Sequence, residues 1–200
     1  MPKQYYPGTT AEKSDLSGKQ FLNGVFLATN GLVMSQLNDL TGLKTPTLQN
    51  WVARGFLSRP QNKKYDKDQT ARILIINAVR NVASLDEIKK TLFYLNGRAG
   101  DKTDDIIPES ELYAYFCDVV FDDKFSYKTV ETLTLEKTKD FNEKFSGAKA
   151  RLEKVLAVFC YFYLSDKLLS RADEILNSFT AKNILGEALN ENSCGNSGEN

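Results

Sequence analysis

The sequence predicts a mostly all-α chain built as two helical halves. Apolar side chains recur at three- and four-residue steps, helices open on recognisable caps and close on glycine, and no alternating run is long enough for a regular strand. With 200 residues, 42% apolar and 26% charged, the chain is long enough for a real core and has the charge content of an ordinary globular protein.

Residues 1–16 are polar and aperiodic and read as a flexible tail. Phe21, Leu22, Val25, Phe26 and Leu27 form a short helix that stops near Asn30-Gly31. A second helix near Met34–Leu40 puts Val33, Leu37 and Leu40 on one face, and Thr41-Gly42-Leu43 breaks it. Thr45 then serves as N-cap with Pro46 at the first helical position, where a missing N–H costs nothing, and Gly55 closes this third helix. Phe56 to Tyr65 is too polar and too short for a helix and reads as a tight β-ribbon or a loop.

Asp66 caps a helix bearing Ala71, Leu74, Ile75, Ala78 and Val79, with Ile73 and Ile76 widening the stripe, so this helix is buried on more than one side. Ser84 and Glu87 have capping-box spacing before Leu85, Ile88, Leu92 and Leu95. Residues 98–108 are the linker, which divides the chain into domains at 17–98 and 99–185, with a low-complexity tail at 186–200. In the second half a helix opens at Pro108-Glu109-Ser110-Glu111, another covers 129–145, and a longer one runs from Lys149 into the 170s. Its stretch Val155–Leu164 is apolar all round and is either the central helix of that half or a self-association surface.

Composition excludes several chemistries. Histidine is absent, which removes the commonest general base and zinc ligand and every Ser-His or Cys-His pair. Cys117, Cys160 and Cys194 lack metal or disulfide spacing; the first two read as core and the third as part of the tail. Neither a cofactor nor a metal is expected, nor is an enzyme. The N-terminus has no apolar signal-type segment, and the longest apolar run, ten residues, is half the roughly 20 that span a bilayer. The expectation is a cytoplasmic protein with no membrane contact.

The net charge of zero hides an asymmetry. Residues 31–98 hold eleven basic and five acidic residues, whereas 99–200 hold twelve basic and nineteen acidic ones. The basic stretch is the part that suits a polyanion. It also holds helix, glycine turn, helix, basic ribbon and capped helix in that order, the pattern of a winged helix-turn-helix.

Within that pattern Leu37, Leu40, Thr41-Gly42, Thr47-Leu48, Trp51 and Gly55-Phe56-Leu57 resemble the MerR-type DNA-binding motif. A closer resemblance is to a bacterial family of unknown function with a MerR-like head. It is carried by Leu48-Gln49-Asn50-Trp51-Val52-Ala53-Arg54, Lys63-Lys64-Tyr65, Ala71-Arg72-Ile73-Leu74 and Leu112-Tyr113-Ala114-Tyr115-Phe116-Cys117. Against MerR regulators, the ribbon is short, Gln49 stands where arginine is usual, paired ligand cysteines are missing, and no long a/d heptad follows residue 98.

The resemblance implies transcriptional control by a protein that binds double-stranded DNA. Leu48, Trp51 and Val52 then face the core, and Thr47, Gln49, Asn50 and Arg54 face the duplex, with Lys44 beside them. Amide side chains suit adenine N6/N7; Arg54 reads guanine or grips a phosphate. Arg59, Lys63 and Lys64 contact the backbone or minor groove, and Tyr65 packs beneath the ribbon with at most a secondary phosphate contact. A homodimer on a palindromic site is expected, with a small-molecule or protein effector acting on the acidic half. The alternative is a protein-interaction adaptor that keeps the fold without binding DNA.

Overall fold

The computed structural model describes residues 3–100 and 105–191, with side chains through Phe179. The helices among them are α1 (Gly18–Phe26), α2 (Met34–Thr41), α3 (Thr45–Ala53), α4 (Lys67–Val79), α5 (Leu85–Asn96), α6 (Glu109–Val120), α7 (Val130–Lys137) and α8 (Ala148–Glu191). The predicted helical character therefore holds. Among the described residues no regular strand forms, and isolated antiparallel bridges join Tyr5 to Glu12, Leu32 to Tyr65 and Gln61 to Lys64. No helix among them is long and apolar enough to cross a membrane.

Helix α4 is the centre of the fold. Asp66 accepts the Gln69 N–H and Gln69 returns a bond to the Asp66 N–H, a capping box that fixes where the helix starts. From Thr70 to Ile76 every residue is buried, as are Ala78 and Val79. Such all-round burial needs neighbours on several sides. They are chiefly α6, with α1 and α2 in lighter contact. Ser17 and Ser84 cap α1 and α5 by the same device, each paired with a residue three positions on.

The N-terminal segment differs from the expected tail. Tyr6 is 1% exposed, and its ring stacks on Phe21 at a centroid distance of 3.9 Å. The Tyr113 hydroxyl donates to the Pro7 carbonyl at 2.9 Å, and Asn77 donates to the Gly8 carbonyl at 2.9 Å. Thr10 donates through its hydroxyl to Asp39 O at 2.7 Å and through its backbone N–H to Leu40 O at 2.8 Å. Residues 5–12 thus form a strap across α2, α4 and α6. Gly8 makes it possible: its φ is +72°, and a Cβ there would lie 2.0 Å from the Leu74 carbonyl oxygen.

The predicted linker is also partly buried. Ile106 and Ile107 are 2% and 0% exposed. The Asn96 side chain donates to Ile107 O at 2.7 Å and accepts the Ile106 N–H at 3.1 Å. Residues 101–104 of that linker lie outside the described residues. The compositional break at 98–99 does not divide the fold: the compact units are Met1–Leu164 and Ser165–Asn200.

Helix α7 ends at Lys137, short of the predicted 145, with Thr138 as its C-cap. Helix α8 is longer than predicted. In the first unit it buries Leu152, Val155, Leu156, Phe159, Cys160 and Tyr163. Its backbone stays helical to Glu191, so the expected tail from 186 begins as helix; Cys194 lies outside the described residues. Cys117 and Cys160 are core residues, as predicted, and burial pushes both thiols far above their ordinary range.

Candidate nucleic-acid interface

The candidate surface begins with the turn into α3. Gly42 takes a left-handed φ of 69° and ends α2, while the Thr41 hydroxyl donates to Leu37 O and accepts the Leu43 N–H. Lys44, rather than Thr45, holds the N-cap position and makes no side-chain capping bond. The reason lies across the turn, where the Thr45 hydroxyl pairs with the Asn38 side-chain amide at 2.8 Å. Helix α3 therefore starts one residue early and is tied to α2.

Its other end is a Schellman closure. The Phe56 N–H reaches back to Trp51 O at 2.9 Å and the Gly55 N–H to Val52 O at 3.1 Å, with Gly55 at a φ of +71°. Between these ends Leu48 and Trp51 are 0% and 2% exposed. Gln49, Asn50 and Arg54 are exposed, and Thr47 is half-buried. The predicted division of α3 into an inward apolar face and an outward polar one is what the fold contains.

The segment after α3 is tighter than a ribbon. Lys64 N–H bonds to Gln61 O at 2.8 Å, and the two residues between, Asn62 and Lys63, have φ of 49° and 62°. Positive φ at both central positions is the type I′ signature, which suits a two-residue hairpin and which asparagine tolerates well. Lys63, Lys64 and Arg59 are exposed. Tyr65 is 2% exposed and exchanges backbone bonds with Leu32 at 2.9 and 2.8 Å. Burial raises its hydroxyl pKa, and Tyr65 is a core residue rather than a contact residue.

The structure adds residues that sequence reasoning missed. Phe56 is buried, and two cations lie over its ring: the Arg54 guanidinium at 4.8 Å from the centroid and the Lys89 ammonium, from α5, at 5.3 Å. Arg54 also approaches Asp86 at 4.0 Å, so it leans towards α5 rather than straight out from α3. The signal for Lys89 was present in the Ile88 and Leu92 spacing, which turns position 89 away from the core.

Behind Phe56 lies the second missed pair. Arg72 Nε donates to Phe56 O at 2.7 Å, and its terminal nitrogen bonds the Glu109 carboxylate on α6. Both side chains are nearly inaccessible. Desolvation outweighs the attraction of Arg72, helped by Asp105 and Asp68 nearby, and pushes the Glu109 pKa up to about 7. The pair borders a small polar cavity of about 130 Å³, together with Arg59, Asp68 and Arg98. Among the described residues no group of carboxylates and thiols has the arrangement of a metal site.

A family model described as "Domain of unknown function (DUF1836)" matches residues 15–116, from just before α1 into α6. The match takes in the helix that supplies Glu109 and stops short of α7 and α8. "Uncharacterized protein YkrK" of Bacillus subtilis (strain 168) is 30% identical over 102 residues, covering 47% of this chain and 44% of that protein. The chain thus spans less than half the length of that relative. No solved structure matches it. On the strength of a match that covers five helices and most of a sixth, the chain belongs to the DUF1836 family.

Proposed function

We propose that this chain is a sequence-specific DNA-binding transcriptional regulator, with residues 17–98 acting as a MerR-like winged helix-turn-helix and the acidic remainder serving pairing and effector response. The observation that carries this reading is the outer face of α3. It exposes two amides, Gln49 and Asn50, between the exposed cations Lys44 and Arg54, while Leu48 and Trp51 hold the helix from beneath. Bidentate amide contacts discriminate a base pair by about 1–3 kcal/mol each, and cations at the helix ends set register on the phosphates. In this reading the 61–64 turn is the wing and presents Lys63 and Lys64 to the backbone.

Lys89 adds a cation that the sequence reading did not include. It shares the Phe56 ring with Arg54, which places positive charge on α5 next to the C-terminal end of α3. The regulator works as a homodimer on a two-fold-related site, and no catalytic chemistry is assigned to it.

Selection of bound fragments from random duplex DNA by the purified full chain tests the proposal. Enrichment of a palindromic motif is the expected result. Absence of any enrichment, with the protein folded, transfers the assignment to a protein-interaction adaptor.

A further inference from the structure

The second compact unit carries an amphipathic helical face. Leu168, Leu169, Ile175, Leu176 and Phe179 are exposed by 63, 51, 50, 50 and 49%. They are not scattered. Leu168, Ala172, Ile175 and Phe179 follow a 4-3-4 spacing, and Leu169 and Leu176 widen the same stripe. At 3.6 residues per turn the six positions fall within about a third of the helix circumference. A helix segment of this length is marginal in water unless an apolar face is packed.

We propose that residues 165–179 of α8 are a self-association surface on which a second copy of this chain docks in parallel orientation. This deepens the dimer part of the proposed function and does not depend on DNA. A stripe of 4-3-4 spacing is its own complement, because the same knobs and holes recur on both copies across a two-fold axis.

Charge selects the direction. Lys167 and Arg171 lie on one flank of the stripe, and Asp166 and Asp173 on the other. A two-fold axis parallel to the helices sets the basic flank of each copy against the acidic flank of the other. An antiparallel pair instead sets each flank against itself, with Arg171 facing Arg171 near the middle. Arg171 also bonds Glu174 within its own helix at 2.8 Å, an exposed pair on the basic side that leaves the Asp173 flank wholly acidic. In parallel register Leu168, Ile175 and Phe179, all about half exposed or more, each meet their own counterpart.

The test uses the full chain without DNA. Sedimentation equilibrium of the wild type is expected to show a dimer, and Ile175→Glu and Phe179→Glu are expected to weaken it at least 100-fold. Trp51 fluorescence should stay as in the wild type, showing that the first unit remains folded. In a Cys194→Ser background, Leu168→Cys and Phe179→Cys are each expected to form a disulfide with themselves under mild oxidation. A monomeric wild type, or a dimer indifferent to both glutamates, overturns the surface. A dimer in which neither cysteine links to its own counterpart overturns the parallel arrangement. Loss of DNA selection with the dimer intact would sink only the DNA reading.

Discussion

Arg72 and Glu109, 37 residues apart in sequence, form a buried ion pair that joins α4 to α6, and the same guanidinium holds the carbonyl of Phe56 just after α3. One side chain therefore ties the exit of the candidate recognition helix to the second half of the first compact unit. Both residues lie within the 15–116 stretch that the family model matches, and without Glu109 the arginine under α3 would be an unpaired buried charge.

The pair makes stability depend on pH in a defined direction. The Glu109 pKa is raised in the folded state to about 7 from an ordinary 4.5, chiefly by burial. The folded state therefore holds its proton where the unfolded chain has lost it. This contribution is fully present below pH 4.5 and is lost as pH rises through 7. Urea unfolding at pH 5 and pH 8 should show the wild type losing stability relative to Glu109→Gln, by on the order of 3 kcal/mol. Parallel behaviour of the two proteins across that interval would refute it.

Removing only the arginine should be worse than removing both partners. At pH 8, where Glu109 is ionised in the wild type, Arg72→Leu leaves the buried carboxylate without its cation and should cost up to about 3–5 kcal/mol. The double variant Arg72→Leu/Glu109→Leu should cost less, since no isolated charge remains. Chemical denaturation of the three proteins at one pH decides the matter; a double variant less stable than the single one contradicts it.

The N-terminal strap makes its own prediction through glycine. Gly8→Ala forces a Cβ against the Leu74 carbonyl at a positive φ, whereas Gly24, inside α1, has nothing within 4 Å of an added Cβ. Gly8→Ala should destabilise by at least about 2 kcal/mol, and Gly24→Ala should stabilise by roughly 0.5–1 kcal/mol. Equal melting temperatures for the two variants would mean that residues 5–12 contribute nothing to the fold.

At the proposed interface, position and identity should separate. Asn50→Ala and Gln49→Ala should erode discrimination between sites by about 1–3 kcal/mol each while sparing non-specific binding. Lys89→Ala should weaken all sequences alike and lower the log-log salt slope by about 0.9. Fluorescence anisotropy with the selected site and a scrambled one distinguishes these outcomes, and a Lys89→Ala variant selective in its loss would assign that lysine a different role.

Local chemistry made much of this fold legible. Asp66 with Gln69 and Ser84 with Glu87 are capping boxes whose signal lies within four residues, and both helices start where the sequence places them. The buried face of α3 followed from Leu48 and Trp51 in the same way. What was hidden depends on distant partners. Tyr6 and Pro7 look like tail residues until Phe21 and Tyr113 are seen to receive them, the latter 106 positions away. Arg72 sits in an aliphatic run where only α6 explains a charge. Lys44 displaced Thr45 as N-cap because Asn38, seven residues before Thr45, occupies the threonine hydroxyl. Tyr65 packs beneath the turn as its place in the sequence suggests, but the backbone pairing with Leu32 that turns the ring inward is a contact 33 residues away.

The most direct test of the central claim is a salt titration of binding to the selected duplex by the wild type and by Lys63→Glu/Lys64→Glu. The account predicts a steep log-log slope for the wild type, and for the double variant a slope shallower by about 1.8 with weaker binding to every sequence. A flat salt dependence of the wild type would contradict the assignment of this surface to DNA, and identical affinity and slope for the two proteins would contradict the assignment of the 61–64 turn to it.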